Sequence, residues 1–242
     1  MSLIKLNAID STNNYLKQLS KEKELDNYTI VLANEQTNGR GQMGTVWSSE
    51  AGKNLTVSVL VKDLDVNDIT IYEFNVLIAL AAVETVVSCT DATIQIKWPN
   101  DIMADGKKIV GILIENSYKS NLTFTAVVGI GMNLNQTNFD HLPQANSLVN
   151  ITGVEWDPEF MARKLVENIE KMRADLKDNS SELWERYNQL LFKRDVPSVF
   201  EDTKGNRFMG IITSVNEQGQ LVVLEENDSI NTYELKQIKM LF

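Results

Sequence analysis

Residues 93–116 read TIQIKWPNDIMADGKKIVGILIEN, and this stretch indicates how the chain builds its main sheet. Its first residues alternate apolar with polar side chains, which is typical of a β-strand. Pro99 cannot donate a backbone hydrogen bond to a sheet, so we expect the strand to end before it. Asp105 and Gly106 lie between two apolar runs and predict a type I′ turn. The stretch therefore predicts a strand followed by a β-hairpin.

The sequence on either side predicts a mixture of strands and helices around this hairpin. Further strands are predicted at 3–9, 28–36, 54–61 and 121–135. Helices are predicted after the capping cluster at 10–13, at 69–87, after Asp157-Pro158 and at about 181–191. From about residue 196, short segments such as VPSVFED, RFMGIITSVN, QLVVLEEN and INTYELKQI are separated by turn signals. These segments predict a small antiparallel barrel.

Composition excludes several classes of function. The chain has 242 residues, of which 33 are acidic and 23 basic, with a formal net charge of -10. This balance argues against general nucleic-acid binding, which needs a basic face. One cysteine (Cys89) and one histidine (His141) allow neither a disulfide nor a Cys/His metal cluster. The longest wholly apolar run, 76–83, is too short to span a bilayer, so we expect a soluble cytoplasmic protein.

Residues 39–47, GRGQMGTVW, predict a loop that binds a small anion. Gly39, Gly41 and Gly44 let a ligand approach the main chain closely, and successive N–H groups can form an anion-binding nest. Arg40 adds a planar, bidentate donor that suits phosphate or carboxylate. The loop has neither the Gly-Lys-Ser/Thr of a P-loop nor a dinucleotide fingerprint. On spacing alone, a mobile surface loop with a solvated arginine is the alternative.

The pentapeptide KWPND, residues 97–101, places a lysine at a strand end and an aspartate at the following turn. Lys97 suits a phosphate as a point charge, and Asp101 suits the Mg²⁺ that accompanies a nucleotide. A plain strand-to-turn junction is the alternative for this segment. Gly111, Gly129 and Gly131 lie in or beside apolar strands, where glycine often marks the close approach of a ligand. A sheet centre lined by glycines can admit a flat small molecule, and tight strand packing without a ligand is the alternative.

Taken together and in this order, five motifs resemble those of the biotin protein ligases. The motifs are DSTNNYL (10–16), NEQTNGRGQMGTVW (34–47), KWPNDI (97–102), KKIVGILIE (107–115) and GIGMNLN (129–135). The resemblance covers nearly the whole chain and implies an α+β fold. Its core would be a mixed β-sheet flanked by helices, like that of class II aminoacyl-tRNA synthetases and biotin synthetases. A catalytic domain at residues 1–192 and a small SH3-like C-terminal β-barrel at 193–242 are implied.

The resemblance implies a two-step reaction with ATP and Mg²⁺ as cofactors and biotin as substrate. The biotin carboxylate attacks the α-phosphate of ATP to give biotinyl-5′-AMP and pyrophosphate. A lysine of a biotin carboxyl carrier protein then attacks the mixed anhydride. This chemistry needs no protein nucleophile, so catalysis depends on positioning and on charge stabilisation.

The resemblance also implies roles for individual residues. Lys97 and Arg40 are the implied catalytic residues, and Asp101 is the implied Mg²⁺ ligand. The implied biotin-binding residues are Ser11, Thr12, Asn13, Gln36, Gly39, Gly41, Gly111, Gly129 and Gly131. The implied nucleotide-binding residues are Arg40, Gln42, Trp47 and Asn133.

The sequence departs from the family pattern in the loop and near its C-terminal end. Many relatives read Gly-Arg-Gly-Arg-Arg-Gly-Arg, whereas this chain has Gln42, Met43 and Thr45 at the later arginine positions. In the family the second arginine helps to retain the adenylate, and only Arg40 remains here, so the sequence leaves open how tightly biotinyl-AMP is retained. The segment YELKQIKMLF also lacks the family's usual Gly-Glu pairing.

Expectations about partners follow from the same resemblance. The catalytic pattern begins near residue 3, which leaves no room for the N-terminal DNA-binding module of some relatives, so we expect no DNA partner. We expect no membrane partner, and a homodimer is compatible with the sequence. Two rival functions are a lipoate-type ligase and a non-catalytic biotin-binding module. The forms GRGQMGTVW and KWPND favour biotin over lipoate.

Overall fold

The chain forms two β-sheets, with helices on both faces of the larger one, in a computed structural model that describes residues 2–119, 122–176 and 180–241. The strands are β1 (Leu3–Ile9), β2 (Ile30–Gln36), β3 (Leu55–Asp65), β4 (Ile94–Lys97), β5 (Asp101–Ala104), β6 (Lys107–Tyr118), β7 (Thr123–Met132), β8 (Pro197–Asp202), β9 (Arg207–Val215), β10 (Leu221–Glu225), β11 (Ile230–Tyr233) and β12 (Ile238–Leu241). The helices are α1 (Thr12–Glu22), α2 (Ile71–Val87), α3 (Leu148–Thr152), α4 (Pro158–Asp175) and α5 (Ser180–Gln189), with a 3₁₀ turn at Gln42–Gly44.

The larger sheet has seven strands in the order β1-β2-β3-β7-β6-β5-β4. β1 and β2 pair in parallel, and the other neighbours pair antiparallel, so the predicted mixed sheet flanked by helices is confirmed. The predicted hairpin is β5–β6, and its turn residues Asp105 and Gly106 have φ values of 47° and 77°. Positive φ at both positions is what a type I′ turn requires. β4 ends at Lys97, ahead of Pro99, as expected.

Two hydrophobic layers cover opposite faces of this sheet, because successive side chains of a strand point to opposite sides. On one face, Val31, Leu60 and Val127 pack with Leu16 of α1. On the other face, alternate residues of the same strands pack against α2, which α4 and α5 cover in turn. α2 is therefore buried around most of its circumference. This arrangement sets the N-terminal end of α1 against β3 and β7.

The smaller sheet is antiparallel and has the strand order β11-β10-β9-β8-β12. It agrees with an SH3-like C-terminal domain, although the hydrogen bonds of the described residues leave β11 and β12 at opposite ends rather than closing a barrel. The prediction of a single strand at INTYELKQI was wrong. Lys236 has a φ of 72°, which breaks the segment into β11 and β12 and returns β12 to pair with β8.

The two sheets meet at the end of β4. The Trp98 indole Nε1 donates to the Gly219 carbonyl over 2.9 Å, and Asn188 of α5 exchanges two hydrogen bonds with Val215 of β9. These contacts place the C-terminal strands beside the KWPND segment. Among the helices of the described residues, none is long and apolar enough to cross a membrane.

Candidate active site

A cavity of about 680 Å³ lies between the larger sheet, the loop at 39–47 and the smaller sheet. Its walls come from the start of α1, the 39–47 loop, the β4–β6 segment, β7 and the C-terminal strand β12. Every residue that the family resemblance selected lines this cavity except Gly39 and Asn133. Segments more than 200 residues apart in sequence thus contribute to one site.

The cavity is electropositive although the chain is acidic. Among the residues that the structure describes, five cationic side chains line it against one carboxylate, that of Asp101, whereas the whole chain has a net charge of -10. The cationic residues are Arg40, Lys97, Lys108, Lys236 and Lys239. A concave surface lined by one sign of charge concentrates ligands of the opposite sign. The site therefore suits a strongly anionic ligand.

Ser11, Thr12 and Asn13 form a buried polar end of the cavity, with exposed fractions of 2%, 3% and 3%. Ser11 is the N-cap residue of α1, but its side chain makes no capping hydrogen bond, so the expected capping role was wrong for this hydroxyl. Thr12 instead donates to Gln36 Oε1 through its backbone N–H at 2.8 Å and through Oγ1 at 3.0 Å. Polar groups at the start of α1 are thus directed to the cavity and to β2.

A hydrogen-bond network behind this polar end fixes Asn13. The buried Ser58 hydroxyl lies 2.7 Å from Thr12 Oγ1 and 2.5 Å from Asn13 Oδ1. Asn13 Nδ2 donates to Glu115 Oε2 at 2.9 Å. A Cβ on Gly129 would lie 2.4 Å from Asn13 Oδ1, so this glycine makes room for the asparagine. Ser58 was not selected from the sequence, because nothing local marks a serine inside an apolar strand.

The 39–47 loop folds back on itself as a small hairpin. Arg40 and Val46 form an antiparallel bridge, and the Gly41 N–H donates to the Thr45 carbonyl over 2.7 Å. The Trp47 N–H donates to the Gly39 carbonyl over 3.0 Å, and a Cβ on Gly39 would lie 2.3 Å from the Trp47 carbonyl oxygen. Gly39 therefore allows the two ends of the loop to pair with each other, and it does not line the cavity.

The indole of Trp47 lies over two of the predicted glycines. A Cβ on Gly131 would lie 2.2 Å from Trp47 Cε2, and a Cβ on Gly111 would lie 2.9 Å from Trp47 Cζ3. The Trp47 Nε1 is buried and has no hydrogen-bond acceptor among the described residues. The two glycines thus leave room for the Trp47 ring to form an aromatic wall of the cavity.

Two lysines lie on either side of Asp101, Lys97 on β4 and Lys108 on β6, the two neighbours of β5. Burial lowers the pKa of Lys97 below its ordinary value, against the charge of Asp101, and the charges of Lys108 and Lys239 add to the lowering. Lys108 Nζ lies 2.7 Å from Asp101 Oδ1 and 5.6 Å from the centre of the Trp47 ring. The sequence analysis quoted Lys108 within KKIVGILIE but gave it no role. The sequence signal that could have indicated a role for Lys108 was its position in the same motif as Gly111, three residues earlier.

Two further lysines, Lys236 and Lys239, were also missed because their strand was predicted wrongly. β12 brings Lys239 to the cavity, and the turn before it brings Lys236. Asn133, by contrast, is 5% exposed, and its amide donates to the Asn146 carbonyl over 2.9 Å. In this structure Asn133 anchors the segment that follows β7 and does not line the cavity.

The described residues contain no group of three or more His, Cys, Asp or Glu side chains placed to hold a metal ion. Asp101, the predicted Mg²⁺ ligand, is the carboxylate that the described part of the chain contributes to the cavity lining, and it is paired with Lys108. Mg²⁺ in nucleotide sites is typically held by one or two carboxylates together with substrate phosphates. The donor set therefore fits a metal that enters with a phosphate ligand.

The larger sheet lies almost entirely within a stretch of sequence that matches a known protein family. The model of the Biotin/lipoate A/B protein ligase family matches residues 6–133, more than half of the 242 residues. The chain therefore belongs to the biotin/lipoate A/B protein ligase family.

Individual relatives agree with this assignment. The bifunctional ligase/repressor BirA of Bacillus spizizenii is 31% identical over 193 residues, which are 76% of this chain and 59% of that protein. The biotin--[acetyl-CoA-carboxylase] ligase of Mycobacterium tuberculosis is 27% identical over 195 residues, covering 79% of this chain and 71% of that protein. The structure of biotin protein ligase from Aquifex aeolicus in complex with biotin and ATP matches with a TM-score of 0.81 at 25% identity, covering 99% of this chain and 98% of that one.

Proposed function

We propose that this chain is a biotin protein ligase, which activates biotin with ATP and transfers it to a lysine of a carrier protein. The observation that carries the proposal is the cavity lining, in which five cationic side chains and one carboxylate meet in a chain of net charge -10. Biotin carboxylate and ATP triphosphate are both anions, so a site that joins them must offset their repulsion. The Aquifex aeolicus structure of the same fold is a complex with biotin and ATP, which supports this choice of ligands.

The first step joins the two substrates at phosphorus. A carboxylate oxygen of biotin attacks the α-phosphorus of ATP, a P–O bond forms, and the bond to pyrophosphate breaks. Lys97 and Lys108 flank Asp101 at the cavity, and we assign them to the negative charges of the two groups that react, the biotin carboxylate and the α-phosphate. Lys108 is packed against Trp47 and Gly111, so we place it nearer the biotin carboxylate, and Lys97 nearer the phosphates.

The buried polar end of the cavity suits the ureido ring of biotin. A cyclic urea carries one acceptor and two donors, and a pocket that binds it must offer matching groups because unpaired polar atoms are costly to bury. Ser11, Thr12 and Gln36 meet there, and the Ser11 hydroxyl is not used to cap α1. The Trp47 indole, over Gly111 and Gly131, provides the apolar wall.

Mg²⁺ enters this proposal as the partner of ATP. Asp101 would be the ligand that the chain supplies, and the nucleotide phosphates would supply others. The metal would draw negative charge from the triphosphate and make pyrophosphate a better leaving group.

In the second step, the amine of a carrier lysine attacks the acyl carbon of biotinyl-AMP, the C–O bond to phosphate breaks, AMP leaves, and the amine loses a proton. The proposed acceptor is a biotin carboxyl carrier protein or domain. The name of the Mycobacterium tuberculosis relative, which specifies acetyl-CoA carboxylase, supports this partner. A cytoplasmic location, a homodimer, the absence of a DNA partner and a functional division near residue 192 stay predictions.

The experiment that tests the proposal is incubation of the protein with ATP, Mg²⁺ and either biotin or lipoate, followed by mass spectrometry for the acyl-AMP. Biotinyl-AMP with release of pyrophosphate is the expected result. Lipoyl-AMP alone would assign the chain to the lipoate branch of the family. Biotin binding that needs no ATP and forms no adenylate would make it a binding module instead.

A further inference from the structure

Glu115 of β6 lies outside the cavity lining and holds Arg40, the arginine of the 39–47 loop. Its side chain is 17% exposed, and its Oε1 lies 3.1 Å from Arg40 Nη2. Arg40 Nη1 donates to Asn14 Oδ1 over 2.7 Å, so both ends of the guanidinium are held. The arginine of the 39–47 loop, whose side chain is 40% exposed, is thus tied to α1 and β6 at the protein surface.

The Glu115 carboxylate also contacts side chains of α1, in addition to the arginine of the loop. Lys17 Nζ lies 3.0 Å from the same Oε1, and Asn13 Nδ2 donates to Oε2 over 2.9 Å. Burial opposes ionisation of this carboxyl, but hydrogen bonds from Lys17 and Asn13 and the charges of Lys17 and Arg40 hold its pKa below the ordinary value. Glu115 therefore stays ionised at neutral pH and can pair with a cation on the loop.

An anchor of this kind matters because Arg40 carries the positive charge of its loop alone. A long, mobile side chain loses rotamer freedom when it binds a ligand, and a side chain that is already held loses less. We propose that Glu115 is a positioning residue that holds the Arg40 guanidinium, and with it the 39–47 loop, over a bound acyl-adenylate. The inference rests on the proposed function, and the ligand class is a mixed anhydride of a carboxylic acid and a nucleoside monophosphate.

A double-mutant cycle on Glu115 and Arg40 tests this inference. Wild-type protein and the variants Glu115→Gln, Arg40→Ala and the double variant are loaded with ATP, Mg²⁺ and biotin, and the dissociation rate of the acyl-adenylate is measured. Each single variant is expected to raise this rate about tenfold, as for loss of one charged hydrogen bond. In the Arg40→Ala background, Glu115→Gln is expected to change it by less than about twofold, because glutamine keeps an oxygen that can accept from Asn13 Nδ2 and the loss is then confined to the contact with Arg40.

Lys17→Met is the matched control, because it removes the other cation from the same carboxylate oxygen and Lys17 does not line the cavity. Its dissociation rate is expected to stay within about twofold of wild type. Should Glu115→Gln fail to fold, Glu115→Asp keeps the charge, shortens the reach to Arg40, and is expected to raise the rate in the same way.

Three results would overturn the inference. They are an unchanged rate in Glu115→Gln, independent and multiplying effects in the double variant, or an equal effect of Lys17→Met. Formation of biotinyl-AMP by the wild type in the same assay keeps the proposed function standing even if the positioning role fails. A wild type that forms no acyl-adenylate would refute both.

Discussion

Replacing Gly131 with alanine should displace the Trp47 indole and weaken biotin binding. Gly131 does not have a positive φ, so alanine can adopt its backbone conformation. The effect of the substitution therefore comes from the steric clash of the new Cβ. The new Cβ would lie 2.2, 2.5 and 2.7 Å from Cε2, Cζ2 and Cδ2 of Trp47. Ordinary carbon contacts are about 3.5–4.0 Å, so the ring must move by more than about 1 Å.

The size of the effect follows from this clash. Overpacking of a well-packed contact costs about 1–3 kcal/mol. Trp47 belongs to a loop with exposed neighbours, so we expect the loop to move rather than the β-strand, and the cost to appear in ligand binding. A loss of 1–3 kcal/mol corresponds to a fall in biotin affinity of about 5- to 150-fold.

Isothermal titration with biotin measures this change, and two variants serve as controls. Gly205→Ala strains a turn of the smaller sheet that has a φ of 84° and no atom within 4 Å of the new Cβ, so it should lower stability and leave biotin affinity unchanged. In a Trp47→Ala background, Gly131→Ala should cost little, because the ring that it strikes is gone. Full affinity in Gly131→Ala, or an equal loss in the Trp47→Ala background, would refute the reasoning.

Three more predictions concern the lysines of the cavity. Lys97→Met should lower the rate of pyrophosphate release by about 10²–10³-fold, because it removes a charge that stabilises the reacting phosphate. It should raise the melting temperature, because burial disfavours the Lys97 ammonium. A variant that releases pyrophosphate at the wild-type rate would contradict the first prediction. In the wild type, the lowered pKa of Lys97 should make the rate of pyrophosphate release fall with rising pH before pH 10.5, the pKa of an ordinary lysine. Between the lowered pKa and 10.5, the unfolded chain still holds the Lys97 proton that the folded chain has lost, so the free energy of unfolding should rise with pH. A rate that stays constant up to pH 10.5 would contradict a role for the Lys97 ammonium. The charge of Lys239 acts on Lys97, which we place near the phosphates, so Lys239→Gln should raise KM for ATP several-fold and leave KM for biotin unchanged. Equal changes in both constants would contradict a role for Lys239 in holding ATP.

Much of the larger sheet could be predicted because its signals are local. Asp105-Gly106 specifies a type I′ turn between neighbouring residues, and Pro99 ends a strand through its own missing N–H. Asp157 accepts a hydrogen bond from the Glu159 N–H at the start of α4, with Pro158 in the first helical position. Each of these features depends on a few adjacent residues, which a sequence displays directly.

The features that were missed depend on contacts between distant segments. The separate strand β12, which brings Lys239 to the cavity, requires a positive φ at Lys236. A lysine does not indicate a positive φ in the sequence, whereas a glycine or an asparagine does. The Trp47 indole packs over Gly131, which is 84 residues further along the chain. The pairing of Lys108 with Asp101 depends on the register of β5 with β6, which a bulge between Ile102 and Met103 shifts.

A structure of the protein with biotin and a non-hydrolysable ATP analogue tests the central claim most directly. The account predicts both ligands in the cavity between the two sheets, with the Lys97 and Lys108 ammonium groups about 2.7–3.2 Å from carboxylate or phosphate oxygens. Ligands bound elsewhere, or both ammonium groups pointing to bulk water with the ligands in place, would contradict it.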